Sequence, residues 1–187
     1  AYVRRQRQMC IRDSPSGKLP TSFPTKIEDT PAYSSYPGEN SQMNYEEKLL
    51  IGYRWYEKKE IQPLFPFGHG LSYTNYKYEN LKIEKKAEKI FCTLEVSNIG
   101  KFDGKEIIQC YVSSPITNEE EPIKTLQSFK KVKIKKGQTK TVKLKLNERN
   151  FSYWDTTSKN WKIKEGDYQI SIGSSSKNIH LKDKISY

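Results

Sequence analysis

From about residue 77 onward, apolar and polar residues alternate in short stretches that are broken by turn formers, the period of strands whose two faces meet different surroundings. In KIFCTLEVSNIG the residues Ile90, Cys92, Leu94 and Val96 fall on one face, with Phe91, Thr93 and Glu95 on the other. GKEIIQCYVSSP likewise puts Ile108, Cys110 and Val112 on one side, and the stretch from Asn98 to Gly104 between the two runs reads as a loop. FKKVKIKKGQTKTVKLKLN predicts a hairpin with Gly137 in its turn and Val142, Leu144 and Leu146 facing inward. NWKIKEGDYQISIG predicts a turn at Glu165 to Asp167, followed by a strand with Tyr168, Ile170 and Ile172 on one face. NIHLKDKISY closes the run as an edge strand. About seven strands with almost no helical period predict a mainly β fold, a two-sheet antiparallel sandwich. A dozen buried aliphatics, each contributing roughly 1.5 to 3 kcal/mol, are enough for an independent core.

Residues 15 to 62 have a different texture. PSGKLPTSFPTKIEDTPAYSSYPGEN contains five prolines and keeps no period, so it reads as irregular extended chain with polar turns. LLIGYRWY fits one helical turn leading into a buried strand, and periodicity does not separate the two states at this length. Such a segment has no core of its own, which predicts labile amides and a partner surface supplied by something else. Between tail and strands lies PLFPFGHGLSYTNY, with two prolines, two glycines and four aromatics. Prolines and glycines shape a corner, and rings pin it, so this is an interdomain seam with Phe65, Phe67 and Tyr73 as expected anchors.

Composition refines this picture. Only 34% of the 187 residues are hydrophobic while 12% are aromatic, including 13 Tyr, a balance that favours short strands. No apolar run approaches a membrane span, and the N-terminus lacks a signal peptide's apolar core, so no membrane contact is expected. The net charge of +11 raises the question of nucleic acid. Residues 1 to 14 carry four basic and one acidic residue, residues 15 to 76 six and seven, and residues 77 to 187 twenty-three and fourteen. In that last part only Arg149 is an arginine, and lysines alternate with apolar residues. Readers of bases and phosphates lean on the planar Arg fork, so a lysine-coated sheet face is expected and nucleic acid is not. Three cysteines without a CxxC pair make neither a disulfide framework nor a zinc site; Cys92 and Cys110 read as small core residues and Cys10 falls in residues 1 to 14.

Candidate chemistry is sparse. Asp29, Glu39, Glu46, Glu47 and Glu57 invite a carboxylate-pair reading, weighed against turn, cap and solvated positions. His69 in FGHG has no Ser, Cys or second His in a motif around it and reads as a seam residue, and His180 as solvent-facing on the last strand. Trp154 and Trp161 with Tyr153 suit either a sugar-stacking platform or a loop folded over the sandwich edge with Trp161 in the core. Tyr168 is placed for a tyrosine-corner hydrogen bond.

Residues 15 to 187 resemble the C-terminal end of glycoside hydrolase family 3, the β-glucosidase and β-xylosidase family. The resemblance rests on PSGKLPTSFP, EDTPAY followed by YPGEN, and IGYRWYEKKEIQPLFPFGHGLSYTNY, with VSNIG, QCYVSSP, LQSFKKV and EGDYQISIG downstream. It implies that residues 15 to 74 are the tail of an incomplete α/β sandwich domain that follows a (β/α)₈ barrel. Residues 75 to 187 are then a fibronectin type III-like, immunoglobulin-like domain. It also implies hydrolysis of β-linked glucosides or xylosides with retention. An Asp nucleophile on the barrel and a carboxylic acid from the second domain are held roughly 5 to 5.5 Å apart in such a mechanism. Neither has a counterpart in these residues, so the resemblance implies no catalytic, cofactor-binding or metal-ligating residue and leaves substrate contacts unassigned. The implied partners are the barrel and the α/β domain, with substrate reached only through them. RQMCIRDS does not resemble the family, and MCIRDS looks like a translated sequencing adapter, so residues 1 to 14 are expected to be foreign to the natural protein. Lys-, Ile- and Tyr-rich usage suits a low-GC bacterium; cytoplasmic or secreted localisation is not written in these residues.

Overall fold

The computed structural model describes residues 14–40, 42–115 and 118–187; Cys10 and all of the adapter-like start except Ser14 lie outside the described residues. In chain order the regular elements are helix α1 (Tyr53–Lys58) and strands β1 (Tyr76–Lys86), β2 (Lys89–Asn98), β3 (Gly104–Ser113), β4 (Thr125–Ile134), β5 (Thr139–Asn147), β6 (Ser152–Asp155), β7 (Asn160–Ile163), β8 (Asp167–Gly173) and β9 (Ile179–Ser186). Strands β1-β2-β5 form one antiparallel sheet and β4-β3-β8-β9 the other, while β6 and β7 make a separate ribbon. Seven strands in two facing sheets are the expected sandwich, with β9 on an edge.

The core is what the alternation predicts. Ile90, Leu94 and Val96 from one sheet face Ile108, Ile134, Ile170 and Ile172 from the other, all fully buried. Val142, Leu144 and Leu146 complete it from β5. Cys92 and Cys110 sit in the same core as free thiols, and their mutual hydrogen bond together with burial pushes the Cys110 thiol well above its usual range. Phe151, Tyr168 and Tyr187 pack edge to face or tilted at one end, with ring centroids 5.1 to 5.7 Å apart.

One expected connection is corrected. FKKVKIKKGQTKTVKLKLN is not a hairpin, because β4 pairs with β3 and β5 pairs with β2. Gly137, at φ 71°, makes the turn that carries the chain from one sheet to the other. Turn chemistry is the same in either case; the pairing is decided by strands far away in sequence. Asn98 ties this crossover to the seam. Its side-chain amide donates to Phe102 O at 2.8 Å and Ile134 O at 3.0 Å, and its carbonyl oxygen accepts from Gly100 N–H and from the Thr74 hydroxyl. Its main chain exchanges hydrogen bonds with the turn, donating to Gln138 O and accepting from Gly137 N–H.

Residues 14 to 75 do not hang free. LLIGYRWY gives helix α1 and no strand, and the tail lies across the outer face of β3. Tyr53 stacks on Phe67 at 4.9 Å, meets Tyr111 edge-on at 5.9 Å and accepts a hydrogen bond from Leu126 N–H. Leu19 and Gly68 exchange main-chain bonds with each other's neighbours: Leu19 N–H donates to His69 O and Gly68 N–H to Leu19 O, each at 2.8 Å. Phe67 O in turn accepts from Ser176 N–H on the sandwich at 2.9 Å. Two buried ion pairs complete the attachment, Lys18 with Glu106 at 3.0 Å and Lys124 with Glu57 at 2.7 Å. Among the expected anchors Phe67 is half-buried. Phe65 is 41% and Tyr73 52% exposed, with Phe65 packed on Phe23 and His69 and Tyr73 meeting Phe102 near the surface.

Replacing Asn98 by Ala leaves several enclosed groups without partners and is expected to lower stability by about 3 kcal/mol. A urea midpoint that falls with unchanged slope is the readout, and a loss below about 1 kcal/mol contradicts this account. A second expectation concerns Glu57. Burial holds its carboxyl above the usual range, and Lys124 pulls it back. The stability linked to a raised acid is present below its ordinary pKa and fades as pH rises through the folded value. Lys124→Met deepens that fade and should weaken amide protection of α1 by about 3 kcal/mol at pH 8, with the loss shrinking toward pH 4. Equal losses at both pH values contradict the pairing.

Candidate functional site

Two of the five acidic candidates, Glu39 and Glu46, line one open hollow of about 520 Å³ beside Tyr36 and Asn44. Asp29 lies in a 3-10 turn (Ile27–Asp29), where its main-chain oxygen accepts from the Trp55 indole N–H at 3.1 Å. Glu39 and Glu46 are exposed, and Glu47 is half-buried. Glu57 is buried, but its near partner is a cation, Lys124. None of the hydrogen bonds or ion pairs among the described residues joins two of the five.

The two histidines are structural neighbours of rings. His69 is half-buried with its ring 5.2 Å from Phe65. His180 is exposed on one side and lies flat on the buried Tyr78 at 4.1 Å on the other, closing the gap between β9 and β1. Its pKa is lowered, by burial first and by Lys18 second, so it stands neutral at pH 7. Ser174 Oγ lies 3.0 Å from His180 Nε2 and also accepts from the Asn178 amide. Tyr168 makes the corner bond, accepting from Lys164 N–H at 3.0 Å.

A concave surface does form, around the β6–β7 ribbon. Trp154 and Trp161 are directly opposite each other across the two strands, with ring centroids 5.3 Å apart. Trp161 is not in the core: it is 42% exposed and Trp154 47%, because the ribbon stands outside both sheets. The guanidinium of Arg149 covers one face of Trp161. The ribbon's other face carries Asp155, whose carboxyl is held far below its usual range by Lys162 and Ser158. Between ribbon, tail and sandwich lies a cavity of about 410 Å³, walled by Leu49, Arg54, Gln127, Asn150 and the two tryptophans. Gln127 and Asn150 are joined, the Asn150 amide donating to Gln127 Oε1 at 2.9 Å. Lys164 and Glu121 neutralise each other at 2.8 Å. Arg54 lies in IGYRWYE and Gln127 in LQSFKKV, but nothing in either stretch, or around Asn150, marks them as neighbours; they meet here because the tail and the ribbon fold against the same end of the sandwich. Among the described residues no group of His, Cys, Asp and Glu is arranged to hold a metal ion, and no helix is long and apolar enough to cross a membrane.

Residues 106–176 match the fibronectin type III-like domain family. Over 176 residues the chain is 43% identical to thermostable β-glucosidase B of Acetivibrio thermocellus, covering 92% of this chain and 23% of that protein. Against a β-glucosidase of Bacteroides ovatus it is 38% identical over 174 residues, 89% of this chain and 23% of the relative. Among solved structures, the glycoside hydrolase family 3 β-glucosidase of Bifidobacterium adolescentis superposes with a TM-score of 0.88 at 31% identity, over 94% of this chain and 26% of that one. The β-glucosidase DesR of Streptomyces venezuelae, solved with D-glucose, gives 0.86 at 35%, over 92% and 23%. The chain therefore spans about a quarter of the length of these relatives. Its residues correspond to the C-terminal part of family 3 β-glucosidases, with a fibronectin type III-like domain over residues 106–176.

Proposed function

We propose that the chain serves as the accessory C-terminal end of a retaining β-glycosidase of the β-glucosidase type, in which it buttresses the catalytic domains and contributes no reacting group. One observation carries this reading. The sandwich has a closed core, while the tail that crosses it presents a run of uncovered rings and aliphatics, among them Ile27, Tyr36, Tyr45, Leu64 and Leu71. A surface of that kind marks an interface. With three quarters of the relatives' length lying elsewhere, the occupant proposed for it is the rest of a family 3 protein. Residues 15 to 74 are then the last segment of its α/β sandwich domain, and the corner around Phe67 is where that domain hands the chain to the fibronectin type III-like domain at about residue 75.

Retaining hydrolysis of a glucoside or xyloside needs two carboxyl groups on rigid elements roughly 5 to 5.5 Å apart. Glu57 is paired with Lys124, and no hydrogen bond or ion pair among the described residues links two of the acidic candidates, which supports assigning the reacting pair to the barrel and α/β domain. The purified chain should therefore release no nitrophenol from p-nitrophenyl β-glucoside or β-xyloside above the buffer rate. A rate that survives purification and disappears when one of Asp29, Glu39, Glu46, Glu47 or Glu57 is replaced by its amide would overturn the proposal.

A further inference from the structure

We infer that the cleft beside the β6–β7 ribbon is a binding site for a neutral oligosaccharide of equatorially substituted sugars. The inference concerns this chain's own residues and stands whether or not the β-glucosidase reading holds.

The size fits first. A cavity of about 410 Å³ lies within the range of small-ligand sites and holds one to two sugar rings. The ring surface comes next. A two-stranded ribbon of four-residue strands is marginal on its own, and a cross-strand Trp pair is a sufficient reason for it to hold together. That role would be served equally well by rings turned into the sandwich. Instead both indoles stay more than two-fifths exposed and line the cavity. Arg149 covers one face of Trp161, which leaves Trp154 as the platform. An indole face suits the axial C–H surface of a pyranose, which is apolar over the ring and ends in hydroxyls at its rim.

The polar groups settle the ligand's charge. Glu121 and Lys164 cancel, and Arg54 is the single cation of the wall with no carboxylate partner among the described residues. One uncompensated charge is too little for a polyanion and the wrong sign for a cation. What remains is amide chemistry. Asn150 is fixed by its bond to Gln127 and by accepting from Asn147 N–H at 2.8 Å, so the Gln127 amide is held in place with its own N–H donors free of any partner among the described residues. A fixed amide beside a guanidinium and an aromatic face is a pattern for hydroxyl groups rather than for phosphate or for an apolar tail. The eight lysines between Lys130 and Lys145 lie on β4, the turn and β5, and none of them lines this cleft.

The test is a titration of the ¹⁵N-labelled chain with cellohexaose and, separately, xylohexaose, following the three indole N–H signals assigned through Trp→Phe variants. The expected result is a saturable shift at Trp154 and Trp161 with Trp55 unmoved, and an affinity at least tenfold weaker in Trp154→Ala. Because that variant removes a ribbon ring, Gln127→Ala, which lies on the sandwich strand, provides the second arm and should weaken binding at least threefold with an unchanged melting temperature. Absence of a saturable shift with both sugars overturns the inference, as does undiminished binding in both variants. A shift produced only by a heparin oligosaccharide and abolished at 0.5 M salt also overturns it, since that response belongs to bulk charge.

Discussion

From Ile108 to Val112 strand β3 is buried on both faces, and the rest of the structure is arranged around that. Its inward side, Ile108, Cys110 and Val112, belongs to the sandwich core. Its outward side would ordinarily face water, yet Gln109 and Tyr111 are as enclosed as the core itself. The tail is the reason. Gly68, at φ 78°, passes so close to Gln109 that a Cβ there would collide with the amide. Gln109 donates to Ser174 O at 2.9 Å and accepts from the Tyr111 hydroxyl at 2.5 Å. Burial, with Tyr53 and Glu57 adding to it, holds Tyr111 protonated far above neutral pH, which keeps it a donor to Gln109. An outward polar residue on a central strand thus becomes the seat of an entire segment, and the sheet is covered as sheets sandwiched between two layers are.

The same geometry explains the charge. β4 and β5 are the edge strands of their respective sheets, and the crossover at Gly137 brings them side by side. Unpaired edges invite further strands, and like charge on both is a known safeguard. The eight lysines from Lys130 to Lys145 sit there, and none takes part in an ion pair among the described residues. Lys143 instead lies 3.9 Å over the ring of Phe91 on the sheet's outer face. A basic composition here is a property of two strand edges.

How much of this could be read from the chain depends on the range of the interaction. The inward faces of β2, β3, β5 and β8 follow from period-two alternation, since each strand meets one apolar and one polar environment. The shaped corner at residues 63 to 76 follows from its prolines, glycines and rings, and Phe67 packs there on Tyr53 and accepts from Ser176 N–H. The enclosure of Gln109 and Tyr111 was not legible, because alternation puts them on the outward face and what covers them comes from about forty to sixty residues earlier in sequence, in Gly68 and Tyr53. The partners of β4 and β5 were not legible, since Gly137 fits a hairpin and a crossover alike. Trp161 was hidden for the same reason: alternation within β7 cannot say that the ribbon stands outside both sheets. The cleft's polar wall, Arg54, Gln127 and Asn150, is assembled from three distant stretches and leaves no local trace.

The crossover has a consequence for how the chain comes into being. Ser97 sits opposite Thr139 and Lys89 opposite Asn147, so β2 meets its second neighbour only after β3 and β4 have been made. Emerging from a ribosome, β2 has β1 beside it and an open main-chain edge on its other flank. Pairings this distant slow folding and leave such edges exposed to other chains in the meantime. The next strand to emerge after β3 is β4, whose lysines and those of the following turn arrive before β5 can close the edge. Like-charged nascent chains on one messenger then repel each other during the interval when mispairing between neighbours is easiest.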